Sequence, residues 1–239
     1  MDGLYRCLDT RIGRLRLVAR STPGSPIGGT ASERAYAHVK EEILSGGLEG
    51  GELISEGEIA DDLAMSRTPV REAFLRLQAE GWMRLYPKRG AAITPIRPQE
   101  ADEVMQARVL IETRAVAVIG GDQQRASELV AELNDIIERQ RRAIVDHDLA
   151  AFIDADADLH TAIVLAAGNS LLIDFYIGLR DRQRRMTRES LRREGERESL
   201  QRQRLILDQH RRLADLITAG DPAAFETELA RHLDETHRR

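Results

Sequence analysis

The chain has a single cysteine, Cys7, in 239 residues, which excludes an internal disulfide and a cysteine-built metal site. Aromatic residues make up only 4%, so any core must be packed chiefly through Leu, Ile, Val and Ala, a composition that suits helices. No apolar run reaches the roughly 18 residues that a membrane-spanning helix needs, and the start lacks an apolar stretch ending in a small-residue cleavage site. A cytoplasmic protein without a membrane partner is expected. The length is enough for two ordinary domains, each with its own core.

Positive charge is also scarce overall, since 35 basic against 40 acidic residues leave a net charge of −5. Its distribution matters more than its total. Residues 31–65 carry two basic and nine acidic side chains, whereas residues 66–97 carry seven basic and two acidic ones, a local charge of 7 − 2 = +5. A positive patch on an acidic body suits a nucleic-acid contact, because phosphate neutralisation is local while the acidic remainder discourages unspecific sticking.

The patch has a shape. Ser66–Trp82, SRTPVREAFLRLQAEGW, reads as one short helix ended by Gly81, with Thr68 as N-cap and Pro69 as first helical residue. Val70, Ala73, Phe74 and Leu77 recur at helical spacing as the inner stripe, leaving Arg67 and Arg71 to project together from the first turns. Paired guanidinium groups there can reach phosphates and a guanine edge in the major groove of DNA. Ser55 and Glu58 form a capping box for a short preceding helix, Glu56–Ala64, with Ile59 and Leu63 inward. Downstream, Met83–Tyr86 and Ala91–Thr94 read as a hairpin with the basic tip Pro87, Lys88, Arg89, Gly90. A second capping box, Thr30 with Glu33, opens a helix to about Ser45 with Tyr36, Val39, Ile43 and Leu44 inward. Helix, short helix, basic helix and basic-tipped hairpin are the parts of a winged helix-turn-helix.

The run AYAHVKEEILSGGLEGGELISEGEIADDLAMSRTPVREAFLRLQAEGWMRLYPKRGAAI resembles the DNA-binding domain of the GntR family of bacterial repressors. The resemblance implies that Arg67, Thr68, Arg71, Lys88, Arg89 and Gly90 meet double-stranded DNA. Two positions depart from the family pattern. Gly50 precedes Gly51 where the family usually has proline, which would loosen a turn, and Gly57 stands where a basic residue is frequent, which removes one DNA contact.

Residues 1–30 hold five arginines and two aspartates followed by a Ser/Pro/Gly-rich stretch, and read as a flexible basic arm. Residues 31–97 form the winged domain. From Pro98 to the end, residues 98–239, the texture is all helical. Six helices can be drawn, near Gln99–Ile119, Gln123–Asp146, Leu149–Ala167, Leu171–Leu191, Glu196–Ala219 and Pro222–Arg238, giving an antiparallel bundle.

Asp156 and His160 lie four residues apart and so share a helix face about 6 Å from each other. His210 and His232 stand eleven residues before and eleven after Asp221, at the centre of the last turn, so an antiparallel hairpin brings them level. Three imidazoles and a carboxylate suit Zn²⁺, with Ni²⁺ or Mn²⁺ as alternatives. By spacing alone, ordinary hydrogen-bonded histidines remain the bland alternative. The stretches DADLHTAIVLAAGN and DQHRRLADLITAGDPAAFETELARHL resemble the all-helical FCD ligand-binding domain of the FadR-type branch, and six helices suit its shorter, VanR-like subgroup. That resemblance implies a metal on Asp156, His160, His210 and His232. Leu159 replaces a frequent Phe, a change of packing only, and His38, His147 and His237 fall outside the pattern.

A metal with open positions could take a small carboxylate effector. Arg108 is a candidate for its second anionic group, although an intrahelical pair with Glu112 would occupy it equally well; Asn169 and Arg180 are further candidates. A metallohydrolase would use the same ligands, but there is no HExxH motif, and only Asp154 and Asp158 stand near as general bases. A purely structural metal is the third reading. The expectation is a bacterial homodimeric regulator, a repressor of palindromic operators answering to a small organic acid, and no enzyme.

Overall fold

The computed structural model describes residues 29–192 and 195–237, so the N-terminal arm apart from its last two residues lies outside the description. The first domain contains α1 (Ala31–Ser45), β1 (Leu53–Ile54), α2 (Glu56–Asp62), α3 (Arg67–Ala79), β2 (Met83–Tyr86) and β3 (Gly90–Ile93). Both expected capping boxes are formed, Thr30 with Glu33 on α1 and Ser55 with Glu58 on α2. Each satisfies N–H groups that a helix start otherwise leaves without partners. The inner stripe of α3 is buried as expected, and Ala35, Val39, Ile43, Ile59, Trp82, Met83 and Ile93 complete an apolar core around Phe74.

Three local expectations need correction. The helix α3 begins two residues earlier than expected: Ser66, in extended conformation, is the N-cap, and Thr68 and Pro69 are its second and third residues. Proline is tolerated there because no first-turn N–H has an intrahelical acceptor to lose. The hairpin gains a third strand, with order β1-β3-β2, Leu53 opposite Ala92 and Met83 opposite Ile93. Two residues are too few to show alternation. Finally, Gly50 does not loosen its turn: a Cβ there would stand 2.9 Å from the Pro95 backbone, so the site is packed tightly against the inter-domain link.

The six expected helices of the second domain are α4 (Pro98–Ile119), α5 (Gln123–Val145), α6 (Leu149–Ala166), α7 (Ser170–Arg192), α8 (Glu196–Ala219) and α9 (Pro222–His237). Most carry one apolar stripe, but α6 is buried on several sides, with Phe152, Ile153, Ala155, Ala157, Leu159 and Ile163 all inside. A helix enclosed in this way is the central post of the bundle. Any polar residue on it is taken out of water. Among the described residues no helix is long and apolar enough to cross a membrane.

Candidate metal centre and DNA-reading surface

Two of the buried polar residues of α6 are Asp156 and His160, and both turn toward His210 of α8 and His232 of α9. All four residues are at most 2% exposed. Potential ligand atoms, one from each, lie within 4.8 Å of one another. The equal offset of His210 and His232 from Asp221 does bring them level, with ring centroids 4.8 Å apart; each lies 5.1 to 5.2 Å from His160.

Each member is aimed by a neighbour. His160 Nδ1 meets Glu112 Oε2 at 2.7 Å, His210 Nδ1 meets Gln140 Oε1 at 2.7 Å, and His232 Nδ1 meets Gln209 Oε1 at 2.8 Å. An oxygen acceptor at Nδ1 requires that nitrogen to donate, so each ring, whenever it is neutral, has its lone pair on Nε2. Gln183 Nε2 donates to Asp156 Oδ2 at 2.7 Å, leaving Oδ1 to the interior. Burial, with the nearby charges of His160 and Arg108, pushes His210 well below its ordinary value, which keeps it neutral and fit to bind a metal.

Asp156 Oδ1, His160 Nε2 and His210 Nε2 are buried without a hydrogen-bond partner, and Asp156 Oδ1 stands 3.4 Å from His210 Nε2. An unsatisfied buried polar group costs about 1 to 3 kcal/mol, so three at one point rival a large share of a domain's whole stability of about 5 to 15 kcal/mol. Ordinary core histidines would be satisfied at both nitrogens. Ligand atoms held at about 2.0 to 2.2 Å from a zinc ion stand roughly 3 to 4 Å apart, so the four residues fit an ion after a small contraction.

Behind His160 lies a support that inspection of the sequence did not single out. Glu112, fully buried, accepts from Arg108 Nε at 2.9 Å and from the Tyr176 hydroxyl at 2.5 Å while holding His160. Burial alone would raise its carboxyl, but the charges of His160 and Arg108 and the donated hydrogen bonds outweigh it and hold Glu112 at about 2. The same burial, reinforced by the Glu112 charge, pushes the Tyr176 hydroxyl well up, so it stays protonated and donates. Arg108 therefore makes the intrahelical pair, yet its Nη2 is buried without a partner. Asn169 is exposed and accepts from the Leu172 N–H at the start of α7. Arg180 donates to Asp158 at 2.6 Å, and Asp158 also takes Arg139. Among the other histidines, His38 is half-buried and His147 exposed, while the side chain of His237 lies outside the description.

Gln140, Gln183 and Glu112 did leave a trace in the sequence. Each is a polar residue on a buried stripe, and the contrast is clearest for Gln140 among Leu133, Ile136, Ile137 and Ile144 of α5. Gln209 adjoins His210 and carried no such mark.

In the winged domain, Arg67, Thr68 and Arg71 are exposed on the first turns of α3, and Lys88 and Arg89 are exposed at the hairpin tip. The Arg67 guanidinium passes over Gly57, 3.3 Å from where a Cβ would stand, so a larger residue on α2 would crowd it. Gly90 is set by the sheet: its φ is +92°, and a Cβ would come 2.2 Å from the Ile54 carbonyl oxygen.

The family description "Bacterial regulatory proteins, gntR family" matches residues 31–93, and the FCD domain matches residues 103–235. An uncharacterised HTH-type transcriptional regulator of Agrobacterium vitis is 34% identical over 56% of this chain and 78% of its own length. The HTH-type transcriptional repressor RspR of Escherichia coli is 26% identical over 85% of this chain and 86% of its own. The solved structure titled E. coli McbR/YncC shares the fold at a TM-score of 0.71, with 21% identity over 87% of this chain and 95% of that one. The first two of these are named as regulators of transcription. The chain belongs to the GntR family of bacterial DNA-binding transcriptional regulators, with an FCD domain as its C-terminal half.

Proposed function

We propose that the chain is a repressor that binds a palindromic operator as a homodimer and answers to a small carboxylate bound at a divalent metal centre. The observation that carries this reading is the convergence of Asp156 Oδ1, His160 Nε2 and His210 Nε2, unpartnered and buried, in the same chain as an exposed pair of arginines on a reading helix. Three imidazoles and a carboxylate fit Zn²⁺ best, with Ni²⁺ or Mn²⁺ as alternatives. Bound there, the ion supplies an electrophilic anchor for an effector's carboxylate. The unpartnered Arg108 Nη2 is available to a second anionic group, and its charge reaches Asp156 and His210. Asn169 and Arg180 fit this role less well, one capping a helix at the surface and the other held by Asp158.

On DNA, Arg71 and Thr68 read bases from α3, Arg67 joins them beside Gly57, and Lys88, Arg89 and Gly90 lay the wing along the phosphates. One winged helix covers too little DNA for selective control, which argues for two copies on an inverted repeat. The exposed Leu110 and Val118 of α4 and Leu171 and Phe175 of α7 offer the apolar surface for that pairing. The site of action is the bacterial cytoplasm.

Metal analysis of protein purified without chelator is expected to give about one zinc per chain, and a carboxylate screen by thermal shift should find ligands that stabilise wild type but not His210→Ala. Stoichiometric absence of metal, or an equal response of the variant, would overturn the metal-centred mechanism and leave the DNA-binding role standing.

A further inference from the structure

A cavity of about 410 Å³ lies away from the metal centre, where the winged domain meets the bundle. Its walls come from both domains and from the link between them. Leu44 and Leu48 stand on one side, Pro95 and Ile96 on another, and Arg185, Arg188 and Arg192 on the α7 side. The three arginines fall at i, i+3 and i+7, one face of a helix. All three reach across to loop glycines: Arg185 Nη2 lies 3.4 Å from where a Gly50 Cβ would stand, Arg188 Cδ 3.5 Å from where a Gly46 Cβ would stand, and Arg192 Nη1 2.6 Å from that same point.

The ion-pairing of α7 is uneven. Arg182 is paired with Glu100, Arg184 with Asp154 and Glu41, and Arg192 with Glu49 at 3.6 Å and the Gly46 carbonyl at 3.1 Å. Arg185, only 9% exposed, and Arg188, whose Nε is buried, make no hydrogen bond or ion pair among the described residues. Burial pushes both guanidinium groups below their ordinary value, outweighing the charges of Glu189 and Glu100 near Arg185 and of Asp154 and Glu41 near Arg188, and a neighbouring arginine charge adds to it in each case, whereas paired Arg184 is pushed up. A buried cation without a counter-ion is costly and is kept where something else supplies the charge. Three arginines against Glu49 and Glu189 leave the lining at 3 − 2 = +1.

We propose that this cavity is a second ligand site, which takes a small organic anion with its oxyanion head on Arg185 and Arg188 and an aliphatic or aromatic tail against Leu44, Leu48 and Ile96. The volume suits a molecule of about six to twelve heavy atoms and lies within the usual range of ligand pockets. An occupant touches α7, the loop after α1 and the link at Pro95 together, so it fixes how the winged domain is carried. The same α7 supplies Gln183 to Asp156 and Tyr176 to Glu112, which connects the cavity to the metal centre through one rigid element.

The test uses full-length protein with hexanoate and hexyl phosphate as probes, read by calorimetric titration and thermal shift, with hydrogen exchange at residues 94–97. At least one probe should bind wild type saturably and slow exchange in the link, and the better of the two identifies the head group. Arg185→Met and Arg188→Met should each weaken binding tenfold or more, Arg185→Lys should retain part of it, and His210→Ala should leave it unchanged. Without probe, Arg185→Met should melt no lower than wild type, because it removes an unpaired buried charge. The proposal is overturned if neither probe saturates, if both methionine variants bind as wild type does, or if His210→Ala abolishes binding and so moves the probes to the metal centre.

Discussion

The two halves of the chain place their polar chemistry in opposite positions. Among the described residues, every buried polar or charged side chain lies in the bundle, from Arg108 to Thr236, while the winged domain buries only apolar groups and keeps Arg67, Arg71, Lys88 and Arg89 outside. A DNA reader recognises a partner larger than itself, so its core has only to be rigid. A receptor for a small ligand has to bring polar groups inward, at a cost in stability that the bound ligand or ion offsets.

The two cores separate most clearly when each is perturbed with and without metal. Phe74→Ala, at the centre of the apolar core, should cost about 3 to 5 kcal/mol whether or not a chelator is present. Removing a tightly bound ion should instead lower the melting temperature through the bundle alone. An ion at a thousandfold excess over its dissociation constant contributes about 4 kcal/mol, roughly 8 to 16 °C for a chain of this size. Scanning calorimetry of both proteins, with and without chelator, checks this. A Phe74→Ala variant whose loss depends on chelator would mean that the two cores are not independent.

The same division governs what could be read from the sequence. Helix periodicity places all six bundle helices, and the symmetry of His210 and His232 about Asp221 brings these two side chains level, because an antiparallel hairpin turns sequence offset into height. The start of α3 was misjudged by two residues, since Ser66 makes no side-chain cap bond and Thr68-Pro69 mimics a stronger start signal. The side chains that aim these residues leave less trace. A glutamine on a helix looks alike whether it meets water or an imidazole, and only its place on an apolar stripe, as with Gln140 and Gln183, separates the two.

Those supports sharpen the comparison within the bundle. Gln140→Leu keeps the volume but leaves His210 Nδ1 without its acceptor, so the ring is free to turn or change tautomer. Metal affinity should fall about 10- to 100-fold while the apoprotein keeps nearly its full stability, since an apolar residue replaces a buried amide whose own Nε2 is unpartnered. Competition with a chromogenic chelator measures the first effect and thermal melts the second. An unchanged affinity would show that the other neighbours suffice to hold the cluster.

The smallest expected effects lie on the surface and divide it in turn. Arg71 is exposed on the second turn of α3 and Lys88 at the hairpin tip, with φ +64°; in the proposed function the first meets a base edge and the second the phosphates. Arg71→Ala should lose about 1 to 3 kcal/mol and relax the preference at one operator position. Lys88→Ala should weaken every sequence alike and lower the salt slope by about one. Titrations of both variants over a set of single-base operator changes, at several salt concentrations, separate a reader from an anchor. Should the two variants lose the same affinity on every operator with the same change in slope, α3 contributes charge alone, and sequence preference would have to come from the shape of the DNA.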